Sequence, residues 1–65
     1  MKITVNGVAS EVQDNFSLQD LIRLRKLKDE NLIVDINGEI VKQDWQKVHL
    51  NPGDSIELVQ MVFGG

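Results

Sequence analysis

Two Asn-Gly pairs, each set between short apolar stretches, constrain the fold of this chain more than any other feature. Asn6 and Gly7 follow "KITV", and Asn37 and Gly38 follow "LIVDI". Both residues of such a pair tolerate the positive φ that the tight turn of a two-residue β-hairpin requires. The sequence therefore predicts two hairpins, with strands at residues 2–6 and 8–12 in the first and at 32–37 and 39–41 in the second.

The predicted strands alternate between apolar and polar residues, which is typical of strands buried on one face. Ile3 and Val5 share a face of the first strand. A last strand, "SIELVQ", follows a Pro-Gly pair that suits the two central positions of a type II turn. Its Ile56 and Leu58 point to one side of the sheet and Val59 to the other, because side chains alternate along a strand.

Between the hairpins, the sequence predicts an α-helix that begins after Ser17. Ser17 suits the N-cap, and Asp20, three residues later, suits both a reciprocal capping bond and the positive end of the helix dipole. The apolar stripe that would pack on the sheet consists of Leu18, Leu21 and Ile22. Leu27 does not lie on this stripe, so we expect the helix to end near it.

This order of elements predicts an α+β fold in which one helix packs across one face of a mixed sheet of four to five strands. A chain of 65 residues is expected to form a single domain, residues 1–65. It has no cysteine, so its core must hold it together without disulfides. Trp45 is expected to cover one end of that core.

Size and composition exclude several classes of function. A domain this small has little material for a catalytic cleft, so we expect a protein that is not itself an enzyme. His49 has neither a cysteine nor a second histidine to complete a metal site. A net charge of −3 argues against nucleic-acid binding. No apolar run reaches the roughly 18 residues of a membrane span, and the start is too polar for a secretory signal, so we expect a cytoplasmic protein.

A basic run follows the predicted helix. Four of the seven basic residues of the chain lie within six positions. Cations at this end of a helix complement its dipole, and that effect alone accounts for their placement. We therefore favour a solvated helix end over a binding patch. The run consists of Arg23, Arg25, Lys26 and Lys28.

The sequence ends on Gly64 and Gly65, directly after the apolar Val62 and Phe63. Two glycines fall at a given pair of positions by chance in roughly 0.5% of chains. Glycine has the greatest backbone freedom of any residue, so we expect the tail from Phe63 onward to be mobile in the free protein.

The whole pattern resembles a known family. The element order resembles the β-grasp fold of ubiquitin, and "DINGEIVKQDW" with "NPGDSIELVQMVFGG" resembles ThiS, the sulfur carrier family of thiamine biosynthesis. Chains of that family run from an "INGE"-like turn through a Trp to a "GD-I" strand and a terminal Gly-Gly. The resemblance spans all 65 residues. The basic run after Ile22 is the one departure from the pattern.

The resemblance implies a function and partners. It implies that the carboxylate of Gly65 is adenylated and converted to a thiocarboxylate that donates sulfur for thiazole formation, with Gly64 giving access to a narrow site. A ubiquitin-activating-type adenylyltransferase would bind the ATP, a cysteine desulfurase or another donor would supply sulfur, and a thiazole synthase would accept it. The chain itself would bind no cofactor and no metal and would be a monomer when free.

We expect the partner-binding surface on the side of the sheet away from the helix. Val59, Met61 and Phe63 from the end of the chain and Ile33 from the third strand fall on that side by alternation. A sheet covered by one helix has no second layer to hide this face. Outside the basic run the chain has three bases against ten acids. We therefore expect a partner surface that is apolar at its centre with basic residues around it.

Three other functions stay open at this stage. The small subunit of molybdopterin synthase shares the fold, the tail and the thiocarboxylate chemistry, and differs only in the acceptor of the sulfur. A ubiquitin-like modifier would be joined through Gly65 to lysines of other proteins. A plain binding module would not need its Gly-Gly end.

Overall fold

The computed structural model describes residues 1–62, which form a mixed five-stranded sheet with an α-helix across one face. The strands are β1 Lys2–Val5, β2 Val8–Glu11, β3 Leu32–Ile36, β4 Glu39–Ile40 and β5 Ser55–Gln60, the helix α1 is Leu18–Leu24, and a 3₁₀ turn spans Trp45–Lys47. The sheet has the order β2-β1-β5-β3-β4, in which β1 and β5 are parallel and the other neighbours are antiparallel. The predicted α+β class is therefore confirmed.

Both Asn-Gly pairs form the predicted turns. Asn6 and Gly7 have φ of 50° and 81°, and Asn37 and Gly38 have φ of 52° and 91°. Positive φ at both central positions defines the type I′ turn, whose twist matches that of the flanking strands. The first turn sets the β1–β2 register and the second sets the β3–β4 register. The short β4 lies at the edge of the sheet.

The start of α1 is the predicted capping box. The Ser17 hydroxyl accepts a hydrogen bond from the Asp20 backbone N–H at 3.0 Å, and the Ser17 N–H donates to Asp20 Oδ2 at 3.1 Å. These reciprocal bonds satisfy backbone donors that the first turn of a helix otherwise leaves unpaired. The bonds from the Ser17 backbone N–H and then from its side chain lower the pKa of Asp20 below its ordinary value of 3.8.

The helix ends at Leu24 rather than near Leu27. Lys26 adopts the left-handed conformation with φ of 59°, and the N–H of Leu27 donates to the Ile22 carbonyl at 3.1 Å. This is a Schellman motif, in which glycine usually occupies the left-handed position. A residue with a Cβ costs about 1 kcal/mol there. Leu27 then packs against the core instead of extending the helix.

The core lies between α1 and the sheet, and all of the predicted core positions are buried. Trp45 closes one end, as expected, and its Nε1–H donates to the Val41 carbonyl at 2.9 Å. This bond satisfies the one polar group of the indole, which would otherwise oppose its burial. The buried apolar residues are Ile3, Val5, Leu18, Leu21, Ile22, Val34, Trp45, Leu50, Ile56 and Leu58.

Replacing Ser17 with alanine should lower the free energy of unfolding by about 1 kcal/mol, because the capping bonds are lost. Ser10 in β2 is a matched control, since its hydroxyl makes only a 3.4 Å bond to the Val8 carbonyl. Urea denaturation of S17A and S10A measures the difference. Equal midpoints for the two variants would contradict the structural role of the cap.

The same cap should respond to pH. The folded-state pKa of Asp20 is lowered, so its contribution to stability is complete above the unfolded pKa of about 3.8 and is lost as the pH falls through the folded pKa. Between pH 5 and pH 3 the wild type should therefore lose more stability than D20N, whose amide does not titrate. Parallel loss in both proteins would show that Asp20 does not contribute in this way.

Candidate functional site

The strand that leads to the C-terminal tail lies at the centre of the sheet. β5 pairs with β1 on one side and with β3 on the other, where the register runs from Ile36↔Ile56 to Leu32↔Gln60. Beyond the strand, the Met61 N–H donates to the Asn31 carbonyl at 2.8 Å. The point from which the chain leaves the sheet is therefore held to β3 and to the loop that precedes it.

Asn6 extends the pairing between β1 and β5. The parallel register covers only Thr4↔Ser55 and Val5↔Ile56. Asn6 then continues it with its side chain, because Oδ1 accepts from the Leu58 N–H at 2.8 Å and Nδ2 donates to the Leu58 carbonyl at 3.3 Å. The sequence indicated only the turn role of this residue. No local signal marked this second role, because the partner lies 52 positions away in sequence.

Two further amides hold the ends of β5. At its end, Gln60 Oε1 accepts from the Lys28 N–H at 3.0 Å and its Nε2 donates to the Glu30 carbonyl. At its start, Asn37 Oδ1 accepts from the Ser55 N–H at 2.9 Å. Side-chain amides thus fix β5 against loops that are distant in sequence, which sets the direction of whatever follows it.

The face of the sheet away from α1 carries two of the predicted partner-binding residues side by side. Ile33 and Val59 are register partners across β3 and β5, and they are 43% and 47% exposed. Their strand neighbours Val34 and Leu58 are buried under the helix, so the predicted alternation is confirmed. Ile40 of β4 is the register partner of Asp35 and is exposed, so it extends the same face across β4. We call Ile33, Val59 and Ile40 the open-face patch.

Carboxylates border this patch. Asp35 and Glu57 are register partners across β3 and β5, directly beside Ile33 and Val59. Like charges at directly opposite positions oppose strand pairing. Asp35 is partly compensated, because its Oδ1 accepts from the Gly38 N–H at 2.8 Å. An apolar centre with an acidic border therefore faces outward here.

The remaining predicted site residues lie at and beyond the end of β5. Met61 is exposed directly after the strand, and Val62 is 84% exposed. Phe63, Gly64 and Gly65 lie outside the described residues. Docking through Phe63, mobility of the tail and chemistry at Gly65 therefore stay predictions.

Two kinds of feature are absent from the described part of the chain. Residues 1–62 contain no group of three or more His, Cys, Asp and Glu side chains arranged to hold a metal ion. Within the same residues, no helix has the length and apolar character needed to cross a bilayer.

Two known proteins, one of them with two solved structures, resemble this chain over most of its length. A crystal structure of the thiamine biosynthesis protein (ThiS) from Geobacter metallireducens matches with a TM-score of 0.83 and 28% identity over the whole of both chains. A solution NMR structure of a thiamine biosynthesis protein from the same organism matches with a TM-score of 0.79 and 28% identity. This match covers all of this chain and 88% of the other. Uncharacterized protein ycf40 of Trieres chinensis is 29% identical over 62 residues, 94% of this chain and 85% of that one.

The family profile agrees with the structures. The sequence profile of the ThiS family matches residues 3–65, which includes both glycines of the tail. The sheet order and the single crossing helix of residues 1–62 are those of the β-grasp fold that the similar structures share. By sequence and by fold, the chain belongs to the ThiS family.

Proposed function

We propose that this chain is a sulfur carrier protein that supplies sulfur for thiazole formation in thiamine biosynthesis. The observation that carries the proposal is the match to the ThiS family through Gly65. Both solved structures described above are of a thiamine biosynthesis protein from Geobacter metallireducens, which favours the thiamine pathway over the molybdopterin pathway. In this role the chain is a cosubstrate of other enzymes and has no catalytic residue of its own.

The reacting group in this proposal is the α-carboxylate of Gly65. A terminal carboxyl has a pKa of about 3.3–3.7, so it is ionised at neutral pH and needs no general base. One of its oxygens attacks the α-phosphorus of an ATP bound by the adenylating partner, and pyrophosphate leaves. Hydrosulfide then attacks the acyl carbon and displaces AMP, which leaves a thiocarboxylate on the tail. Where the donor is instead the persulfide of a cysteine desulfurase, the attack gives an acyl disulfide, and a thiol then reduces its S–S bond to release the thiocarboxylate.

The tail suits delivery into a partner's active site. Glycines at 64 and 65 have no Cβ, so they fit a narrow channel and leave the acyl carbon unshielded. From Gln60 to Gly65 an extended chain reaches about 17 Å. Because β5 is fixed up to Gln60, the folded body can dock outside while the tail alone enters.

We propose the open-face patch, together with Met61 and Phe63, as the docking surface for the adenylating enzyme. Contiguous exposed apolar residues beside a functional segment are typical of interaction sites. Ile33 and Val59 supply such residues next to the end of β5, and the bordering Asp35 and Glu57 favour basic residues on the partner.

Replacing Val59 with aspartate should weaken binding to the adenylating enzyme by about tenfold or more, because a charge would be desolvated at the centre of the interface. The thermal midpoint should change little, since Val59 is half exposed. Isothermal titration calorimetry with the partner and a melting curve measure the two quantities.

V8D is a matched control. Val8 is 62% exposed in the edge strand β2, and its register partner Val5 is buried on the helix side of the sheet, so the same substitution should leave binding unchanged. Unimpaired binding of V59D, or unfolding of V59D before it can be tested, would remove the patch as the docking surface.

The acceptor of the sulfur distinguishes the thiamine role from its nearest alternative. A thiocarboxylated preparation of the chain, mixed with thiazole synthase and its other substrates, should lose its sulfur as thiazole forms. The same preparation mixed with the large subunit of molybdopterin synthase and its precursor should keep its sulfur. The reverse outcome would assign the chain to the molybdopterin pathway.

A further inference from the structure

Three cations beside the tail are not neutralised within the fold. Arg23 pairs with Asp20 at 4.0 Å. By contrast, Arg25, Lys26 and Lys28 are exposed and lie within 4 Å of no carboxylate in residues 1–62. These three form a positive region on a molecule whose remaining charge is strongly negative.

The helix dipole does not account for this region. The dipole acts on charges within the last turn of a helix. α1 ends at Leu24, so Lys28 lies beyond its reach. Lys26 occupies the left-handed position of the Schellman motif, where glycine would be more favourable. The fold therefore gains little from a lysine at either place.

Two of these cations, Lys26 and Lys28, border a groove at the root of the tail, and Arg25 lies next to it in sequence. The groove has a volume of about 430 Å³ and lies between the loop after α1 and the end of β5. Its apolar surface comes from Leu27, Met61 and Val62, and Lys26, Lys28 and Glu30 also border it. We call it the tail-root groove.

The groove has a fixed geometry relative to the tail. The Lys28 N–H is bonded to Gln60 Oε1, and the Met61 N–H is bonded to the Asn31 carbonyl. Leu27 packs against the core. The loop that carries the cations therefore cannot move independently of the point where the chain leaves the sheet.

The position of the groove indicates what faces it when the tail is engaged. If the tail is extended, its end lies about 17 Å beyond Gln60. The nucleotide phosphates at that end are then out of reach of Lys26 and Lys28. The surface that meets these lysines is instead the rim of the channel through which the tail enters.

We propose that Arg25, Lys26 and Lys28 pair with an acidic segment at the channel rim of the adenylating partner, and that an apolar side chain of this segment enters the tail-root groove. This rests on the proposed function. It gives the partner surface two regions: basic residues facing the open-face patch and acidic residues facing the groove. Two regions of opposite sign fix the orientation of docking, so the tail points into the channel.

Association rates measured by stopped flow at low and high salt test the proposal, with the adenylating enzyme that modifies the wild type. The double reversal K26E/K28E should slow association about tenfold at low salt, and the difference should shrink at high salt. The matched control is K2E/K47E, which has the same change of net charge at exposed lysines outside both the groove and the open-face patch. It should associate nearly as fast as the wild type.

K26G provides a second variant whose folding is not in doubt. It relieves the left-handed strain, so its melting temperature should rise while its association slows about threefold at low salt. A more stable protein that binds more slowly separates a docking role from a structural one. Association of K26G and K26E/K28E at the wild-type rate, or equal slowing by K2E/K47E, would overturn the proposal.

Two further outcomes are distinguishable. If the wild type binds a short DNA duplex at physiological salt through these lysines while the reversal leaves partner association unchanged, the region is a polyanion site and the proposal is wrong. If the wild type associates with the enzyme but gains no sulfur, the proposed function fails, while the rate comparison still decides the role of the groove.

Discussion

Removing Gly65 should abolish both adenylation and sulfur loading of this chain, while its unfolding midpoint stays at the wild-type value. The shortened tail would present its carboxylate about 3.4 Å short of the α-phosphate, and in-line attack tolerates much less displacement than that. The core is complete without the tail, because the buried apolar residues that the structure describes end at Leu58. Release of pyrophosphate in the presence of the adenylating enzyme and ATP measures the loss.

Two companion variants sharpen this test. G64A keeps the length of the tail but adds a Cβ, so it should lower the rate of pyrophosphate release more than it lowers stability. A chain extended by one alanine after Gly65 should be inactive, because its terminal carboxylate is no longer that of Gly65. Adenylate formation by a chain that lacks both glycines would show that the tail is not the reactive end.

Replacing Ile56 with alanine should lower the free energy of unfolding by about 2–5 kcal/mol, through lost burial and the cavity left behind. Ile56 is completely buried in the central strand β5, opposite α1. A domain of this size has a total stability near the lower end of about 5–15 kcal/mol, so this single change should leave it close to unfolding at room temperature.

V59A is the matched control for this prediction. Val59 lies in the same strand but points to the open face, where it is half exposed. Its truncation should cost less than about 1 kcal/mol. Urea denaturation of I56A and V59A gives both values. A similar loss in the two variants would contradict the assignment of the two faces of β5.

Much of this fold was predictable because its signals are local. Asn37 and Gly38 specify their turn through two adjacent residues, and Ser17 with Asp20 specifies the start of the helix through a spacing of three. Alternation along β5 placed Ile56 inside and Val59 outside without knowledge of the partner strands. Each of these inferences needs only a few neighbouring residues.

The parts that the sequence did not predict depend on contacts between distant segments. The bonds from the Asn6 side chain to Leu58 join residues 52 positions apart. The bond from Gln60 to the Lys28 backbone joins residues 32 positions apart. An amide side chain carries no sign of such a partner until the topology brings the two segments together.

The end of the helix was missed for a related reason. The usual signal of a left-handed C-terminal position is glycine, and here the position is held by Lys26. The only indication of the helix end in the sequence was Leu27, which does not lie on the apolar stripe of the helix. The turn at this lysine is why Lys26 and Lys28 of the basic run, interpreted from the sequence as a solvated helix end, border the tail-root groove in the folded protein.

Of the candidate site, the sequence predicted the face but not the register. Ile33 and Val59 were both assigned to the open side by alternation, and the β3–β5 pairing makes them direct neighbours. Register depends on the lengths of the loops between strands, which the sequence pattern does not fix. The predictions for Phe63, Gly64 and Gly65 rest on the family resemblance and on chemistry.

The intact mass of the chain after incubation with the adenylating enzyme, ATP and a sulfur donor tests the central proposal most directly. A sulfur carrier should gain about 16 Da, the difference between oxygen and sulfur, and fragmentation should place the gain on Gly65. The gain should require ATP. An unchanged mass in a reaction where a known ThiS protein is loaded, or a gain located on another residue, would contradict the role of Gly65 as the carrier of sulfur.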